Sequence, residues 1–207
     1  MVIKIRIKIL LLFCFMFTSG LGYSLEMDEI QNMKGKVKEN KVENKAELKK
    51  YKDSIKTEKD SLKRKELIAT LGETKDDEYR DTYFNVIKSS DEIGWVKLSA
   101  VESVGKLEQS TTTASFLIET VLDKQQQIGV RRMALKTLGK QAQPVTVMIE
   151  FLENSSLEDT LRLEAMNVLI RYLQDERVIN VLKAHKNDKD KKIAGIAVNK
   201  LGLLGIK

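Results

Sequence analysis

The chain has 207 residues, 42% of them hydrophobic, 32% charged and 6% aromatic, which suggests one domain plus an appendage. One proline and few aromatics among many Lys, Glu, Leu and Ala point to helices. A single cysteine, Cys14, and a single histidine, His185, exclude an intrachain disulfide and a Cys/His zinc site.

Residues 1–24 read as a secretory signal peptide. Lys4, Arg6 and Lys8 make a basic start, residues 9–17 are a continuous apolar run, and small and polar residues follow as far as Ser24. The run is shorter than the roughly 20 residues that span a bilayer. Cleavage is expected after Ser24, with an uncleaved membrane anchor as the alternative. Lipidation of Cys14 is disfavoured because Phe13 precedes it and the apolar run continues beyond it.

Residues 25–45 read as a charged linker, disordered or a frayed helix, with few apolar residues to offset the entropy of ordering. From residue 46 the pattern improves, with Leu48, Tyr51 and Ile55 recurring at helical spacing. The charge of +6 lies mainly in the first third of the chain. Residues 66–207 carry 20 basic and 21 acidic side chains, so the net charge implies no nucleic-acid-binding face.

The most informative signal is self-similarity. Residues 96–105 (VKLSAVESVG), 130–139 (VRRMALKTLG), 161–170 (LRLEAMNVLI) and 193–202 (IAGIAVNKLG) share one pattern, and 63–72 (KRKELIATLG) is a fainter copy. Their last positions are spaced by 33, 34, 31 and 32 residues. Apolar residues at positions one, five, six and nine make one helical face. Position five is Ala100, Ala134, Ala165 or Ala197, small enough for a close neighbour. Position ten is glycine in four of the five units, which suits a helix end or a tight crossing.

Between these helices lie second apolar stretches, at 79–87, 116–122, 145–152 and 178–182. Pro144 stands where a helix would begin, and Ser110 with Thr111, Thr112 and Thr113 offers hydroxyls for another start. The unit is helix, turn, helix. One hairpin cannot bury both faces, whereas stacked hairpins can.

Residues 130–139, Val-Arg-x-x-Ala-Leu-x-x-Leu-Gly, resemble the second helix of HEAT repeats, and the likeness extends over about residues 60–207. It implies an all-α fold, a short right-handed α-solenoid of about five HEAT-like hairpins over 46–207. It also implies a ladder between repeats, with Arg64, Lys97, Arg131 and Arg162 as its basic members. Asp60, Asp91, Asp123, Asp159 and Asp190 are the candidate acids. The last unit departs from this pattern with Ala194. The implied role is a scaffold that binds a protein along the concave face lined by second helices.

On that reading Trp95, Glu102, Arg132, Lys136 and Asn167 are the candidate partner-binding residues. Trp95 reads first as a large residue of the core or of inter-repeat packing, with an interface anchor as the alternative. His185 reads as a surface histidine at a helix end. Asp76, Asp77 and Glu78 read as complements to a helix dipole, and Asn154-Ser155-Ser156 as a turn. The apolar stretch 201–206 either folds back on the last unit or offers a face for a weak homodimer. No nucleophile–base pair or phosphate loop is evident, so no catalytic residue, cofactor or metal is assigned. The expectation is a non-enzymatic interaction scaffold of a bacterial envelope or periplasm. The alternatives are a HEAT-like enzyme of lyase type and a nucleic-acid-binding solenoid.

Overall fold

The computed structural model describes residues 45–141 and 144–206. The expected signal peptide with Cys14, its expected cleavage point and nearly all of the expected charged linker lie outside the described residues. The described residues form ten α-helices and two short 3-10 turns, with no strand. The helices are α1 Lys45–Thr57, α2 Ser61–Thr74, α3 Arg80–Lys88, α4 Gly94–Val104 and α5 Thr111–Leu122, then α6 Ile128–Leu138, α7 Val145–Glu153, α8 Asp159–Leu169, α9 Glu176–Ala184 and α10 Lys191–Leu203. The turns are Asp77–Tyr79 and His185–Asn187. None of these helices is long and apolar enough to cross a membrane.

The helix starts follow local chemistry. Asp60 caps α2 by accepting from the Leu62 and Lys63 amides, and Asp190 caps α10 by accepting from Lys192 and Ile193. Ser110 caps α5 through the Thr113 amide, and Asp175 caps α9 through that of Arg177. Each satisfies a donor that the first helical turn leaves open. Pro144 sits immediately before α7, where its missing N–H costs nothing.

Consecutive helices pair as α1 with α2, α3 with α4, α5 with α6, α7 with α8 and α9 with α10. The even-numbered helices also neighbour one another in the order α2, α4, α6, α8, α10. This order explains the repeat. Ala100, Ala134, Ala165 and Ala197 at position five are all fully buried, as are Val101, Leu135 and Met166 at position six. Burying such side chains stabilises a fold by about 1.5–3 kcal/mol for each large aliphatic one. The stripe of α1 also packs inward, with Tyr51 and Ile55 buried and Leu48 half-buried against them.

The glycine at position ten is required by a neighbour. A Cβ on Gly72 would stand 2.3 Å from Ser103 Oγ, one on Gly105 2.9 Å from Thr137 Cγ2, and one on Gly139 2.7 Å from Val168 Cγ2. Position eight of each following helix thus seats on position ten of the helix before it. Backbone approach is close enough at α2 and α4 for Ser103 Oγ to donate to Ile68 O at 3.2 Å and Ser99 Oγ to Lys65 O at 3.3 Å. In the fourth unit position ten is Ile170, and the next position eight is the half-buried Lys200.

The odd-numbered helices add an aromatic contact. Phe84 of α3 and Phe116 of α5 stack with centroids 3.7 Å apart, and the Lys88 ammonium lies 5.3 Å from the Phe116 centroid. Residues 201–206 split between the two expected outcomes. Ile206 folds back, its N–H donating to Leu201 O at 3.0 Å and its side chain meeting the core, whereas Leu203 and Leu204 stay exposed.

Candidate functional site

The site is built from the row of even-numbered helices and the polar contacts that hold it in register. In the last four units position two follows a buried position one, so its side chain starts close under the helix. Arg131 and Arg162 are almost wholly buried there, at 2% and 5% exposure. Each first turns back to its own hairpin: Arg131 Nε donates to Val121 O at 2.8 Å, and Arg162 Nε to Leu152 O at 2.9 Å. These carbonyls lie at the ends of α5 and α7, where the helix leaves acceptors unpaired and its dipole favours a cation.

The same guanidinium reaches forward to the loop before the next even helix. Arg131 Nη1 donates to Glu158 Oε1 at 2.6 Å, and Arg162 Nη2 to Asp188 Oδ2 at 2.5 Å. Arg64 does likewise with Glu92, through Nε at 2.8 Å and Nη2 at 2.9 Å, while its Nη1 holds the carbonyls of Glu58 and Lys59. The planar guanidinium suits this double duty.

The second unit solves the problem differently. Lys97 has one nitrogen at its tip, which donates to Gln126 Oε1 at 3.0 Å. It cannot also reach Ile87 O, the carbonyl ten residues back that corresponds to Val121 O and Leu152 O. Gln126 Nε2 donates to Ile87 O instead, at 2.9 Å. Burial lowers the Lys97 ammonium below the usual lysine value, against the opposing influence of Asp123 and Glu92.

The acceptors differ from the acids expected from sequence. Glu92, Glu158 and Asp188 receive the forward bonds, with Gln126 in the fourth place. Asp60 and Asp190 cap helices, Asp123 accepts from the Gln125 amide, and Asp91 accepts from Ser90. Asp159 does touch Arg162, at 3.1 Å, but from within the same helix. Caps and bridging acids occupy the same short loops, so composition alone does not separate them.

His185 is also differently placed from the expected free surface residue. It is largely covered, and its Nδ1 lies 2.8 Å from Asp188 Oδ2. Burial raises the Asp188 carboxyl, but hydrogen bonds from Arg162, the Asp190 amide and His185 outweigh it and hold the pKa at about 2. Arg131 similarly lowers the pKa of Glu158 through its hydrogen bond. Asp76 caps the Asp77–Tyr79 turn, and Asp77 pairs with Arg80 at 2.5 Å. Asn154 Oδ1 closes its turn by accepting from the Ser156 amide at 3.0 Å. Among the described residues no group of three or more His, Cys, Asp or Glu is arranged to hold a metal ion.

The candidate partner-binding residues are all exposed. Glu102 lies on α4, Arg132 and Lys136 on α6 and Asn167 on α8. Arg132 donates to Glu164 of α8 at 3.2 Å. Arg132, Leu163, Glu164 and Asn167, with the first turns of α8 and α10, line a depression of about 280 Å³. Lys136, one turn beyond Arg132 on α6, and Glu102, on α4, are not among the residues that line it. Trp95, 40% exposed, stands apart at the start of α4, near the equally uncovered Ile93. Leu163, Glu164 and Lys192 join the depression without being candidates from the sequence pattern. Their signal was available: they occupy positions three and four of the fourth unit and the residue before the fifth. Comparison with models of known protein families and with curated proteins finds no match.

Proposed function

We propose that the helical row is a short α-solenoid of HEAT-like hairpins whose even-helix face binds a protein partner. One observation carries this reading. Position seven of three successive helices, Glu102, Lys136 and Asn167, is exposed on neighbours that pack side by side. Packed helices lie about 8–10 Å apart, so these side chains form a polar row on a rigid support. The glycine seats and arginine bonds beneath keep that row in register. Arg132 extends it into the depression shared with Asn167. The occupant is a protein segment carrying both charge signs, because Arg132, Lys136 and Lys192 are interspersed with Glu102 and Glu164. The role is one of binding and not of catalysis. The order of residues in 1–24 supports export to a cell envelope, and N-terminal sequencing of the fractionated protein tests that part.

The binding reading is tested by cross-linking the tagged full chain in its native extract, beside a Lys136→Glu/Arg132→Glu variant. Wild type should capture a discrete protein that the variant loses, with thermal unfolding unchanged. Identical capture by both proteins sinks the reading. A salt-dependent gel shift with random duplex DNA would instead favour nucleic acid as the occupant.

A further inference from the structure

One place in the repeat changes from apolar to polar without gaining a partner. Two residues beyond position ten the second unit has Leu107, 5% exposed, and the third has Gln141, 9% exposed. The Gln141 side chain has no hydrogen-bond partner among the described residues. Burying an amide unpaired opposes folding, so stability does not account for a glutamine where the repeat elsewhere takes leucine. Gln141 lines a depression of about 450 Å³, where the chain leaving α6 and α8 meets the starts of α7 and α9.

The charged groups of this depression are already engaged with one another. Asp175 accepts from Arg177 Nε at 3.0 Å, from its Nη2 at 2.6 Å and from its amide at 3.0 Å. Arg177 Nη1 donates to Thr146 Oγ1 at 2.9 Å. Arg177 holds the Asp175 carboxyl below its ordinary pKa, so the two are ionised and neutral as a pair. No side chain caps α7, and its first turn joins the lining through Val145 and Thr146. Uncapped first-turn amides favour an anion. The groups left to a ligand are thus mostly donors: the Gln141 amide nitrogen, the Thr146 hydroxyl and the start of α7. Pro144 and Tyr172 add apolar surface to the lining.

We infer that this depression binds an organic carboxylate with a small apolar body, its oxygens accepting from Gln141 and the start of α7. A carboxylate only accepts, which is what an excess of donors requires. A ligand amide would bring N–H groups of its own to a site whose acceptors are mostly taken. A phosphate dianion would need a further cation, because Asp175 already neutralises Arg177. The apolar body lies against Pro144 and Tyr172. This depression shares no lining residue with the one that holds Arg132 and Asn167, so it stands independently of the protein-binding reading.

The test titrates the full chain with benzoate, benzamide, inorganic phosphate and the tripeptide acetyl-Ala-Ala-Phe, and follows the Thr146 amide and the Gln141 side-chain amide by NMR. Benzoate should move both signals saturably, and benzamide should bind at least about tenfold more weakly, since it lacks the charge. Gln141→Leu, which restores the residue of the second unit, should weaken benzoate about tenfold and raise the thermal midpoint. Opposite signs for binding and stability separate a lost ligand contact from a damaged fold. If that variant does not fold, Thr146→Val is read in its place, with the same loss of benzoate. Tighter binding of the tripeptide than of benzoate assigns the carboxylate to a chain terminus, and the reverse assigns it to a free acid. Equal binding of benzoate and benzamide, a preference for phosphate, or benzoate binding that the variant leaves unchanged overturns the inference. So does the absence of saturable shifts with both carboxylates.

Discussion

The Arg162 contact and the Lys97 contact occupy the same place in the repeat and behave as opposites. Arg162 is buried with Asp188, itself tied to His185 and to the Asp190 amide, and it also holds the Leu152 carbonyl in the last turn of α7. Every partner is charged or directly hydrogen-bonded. Lys97 meets a neutral Gln126, which must turn its amide to Ile87 to replace the bond an arginine would make. The comparison shows that the repeat conserves a requirement and not a residue pair. In the second to fourth units the carbonyl ten residues back must be paired, and the next loop must be held. Arg with Glu or Asp meets both needs with one side chain, whereas Lys with Gln divides them between two.

The largest effect should come from breaking the charged version. Arg162→Ala leaves the buried Asp188 with only the Asp190 amide and His185 and strands Leu152 O, and should cost about 3 kcal/mol in denaturant unfolding. An equal loss from Lys97→Ala would show that the two contacts are equivalent after all. Acid should act on the same pair. The Asp188 pKa is held near 2, below its ordinary 3.8. Its contribution is therefore present above the unfolded value and lost as pH falls from about 4 to 2. About 2 kcal/mol should disappear in that window, and Asp188→Asn should show a flatter acid limb than wild type.

A smaller effect tests the seats between helices. Gly139→Ala places a methyl against Val168 and should destabilise by about 1–2 kcal/mol. Val168→Ala in the same chain should return much of that, a coupling that a double-mutant cycle reads directly. Gly202→Ala, with nothing within 4 Å of the added methyl, should stabilise the fold by about 0.5–1 kcal/mol. The smallest effect sharpens the comparison itself. Lys97→Arg with Gln126→Glu rebuilds the charged contact and should show favourable coupling of about 1 kcal/mol, visible only in the double variant.

Much of this is legible in the sequence. The apolar positions and the four residues Arg64, Lys97, Arg131 and Arg162 recur with the repeat, because a helix returns the same face every 3.6 residues. Their acceptors were not legible. They lie 28, 29, 27 and 26 residues onward, since the turns differ in length, so no fixed spacing marks them. Asp60 and Asp190 have the placement of bridging acids but cap helices. Both roles call for a short acid just before a helix. His185 was likewise unreadable, because its only visible partner is reached through a turn.

The sequence by itself determined where the helices lie and which face of each is apolar, because these depend on neighbours within a turn or two, and it marked the recurring glycines whose need the next helix sets. Only the tertiary structure decided which loop oxygen each cation meets, that Gln126 stands in for an arginine, and that no described group pairs with the buried Gln141 amide. Those outcomes depend on distances between segments some thirty residues apart, which short-range periodicity does not encode.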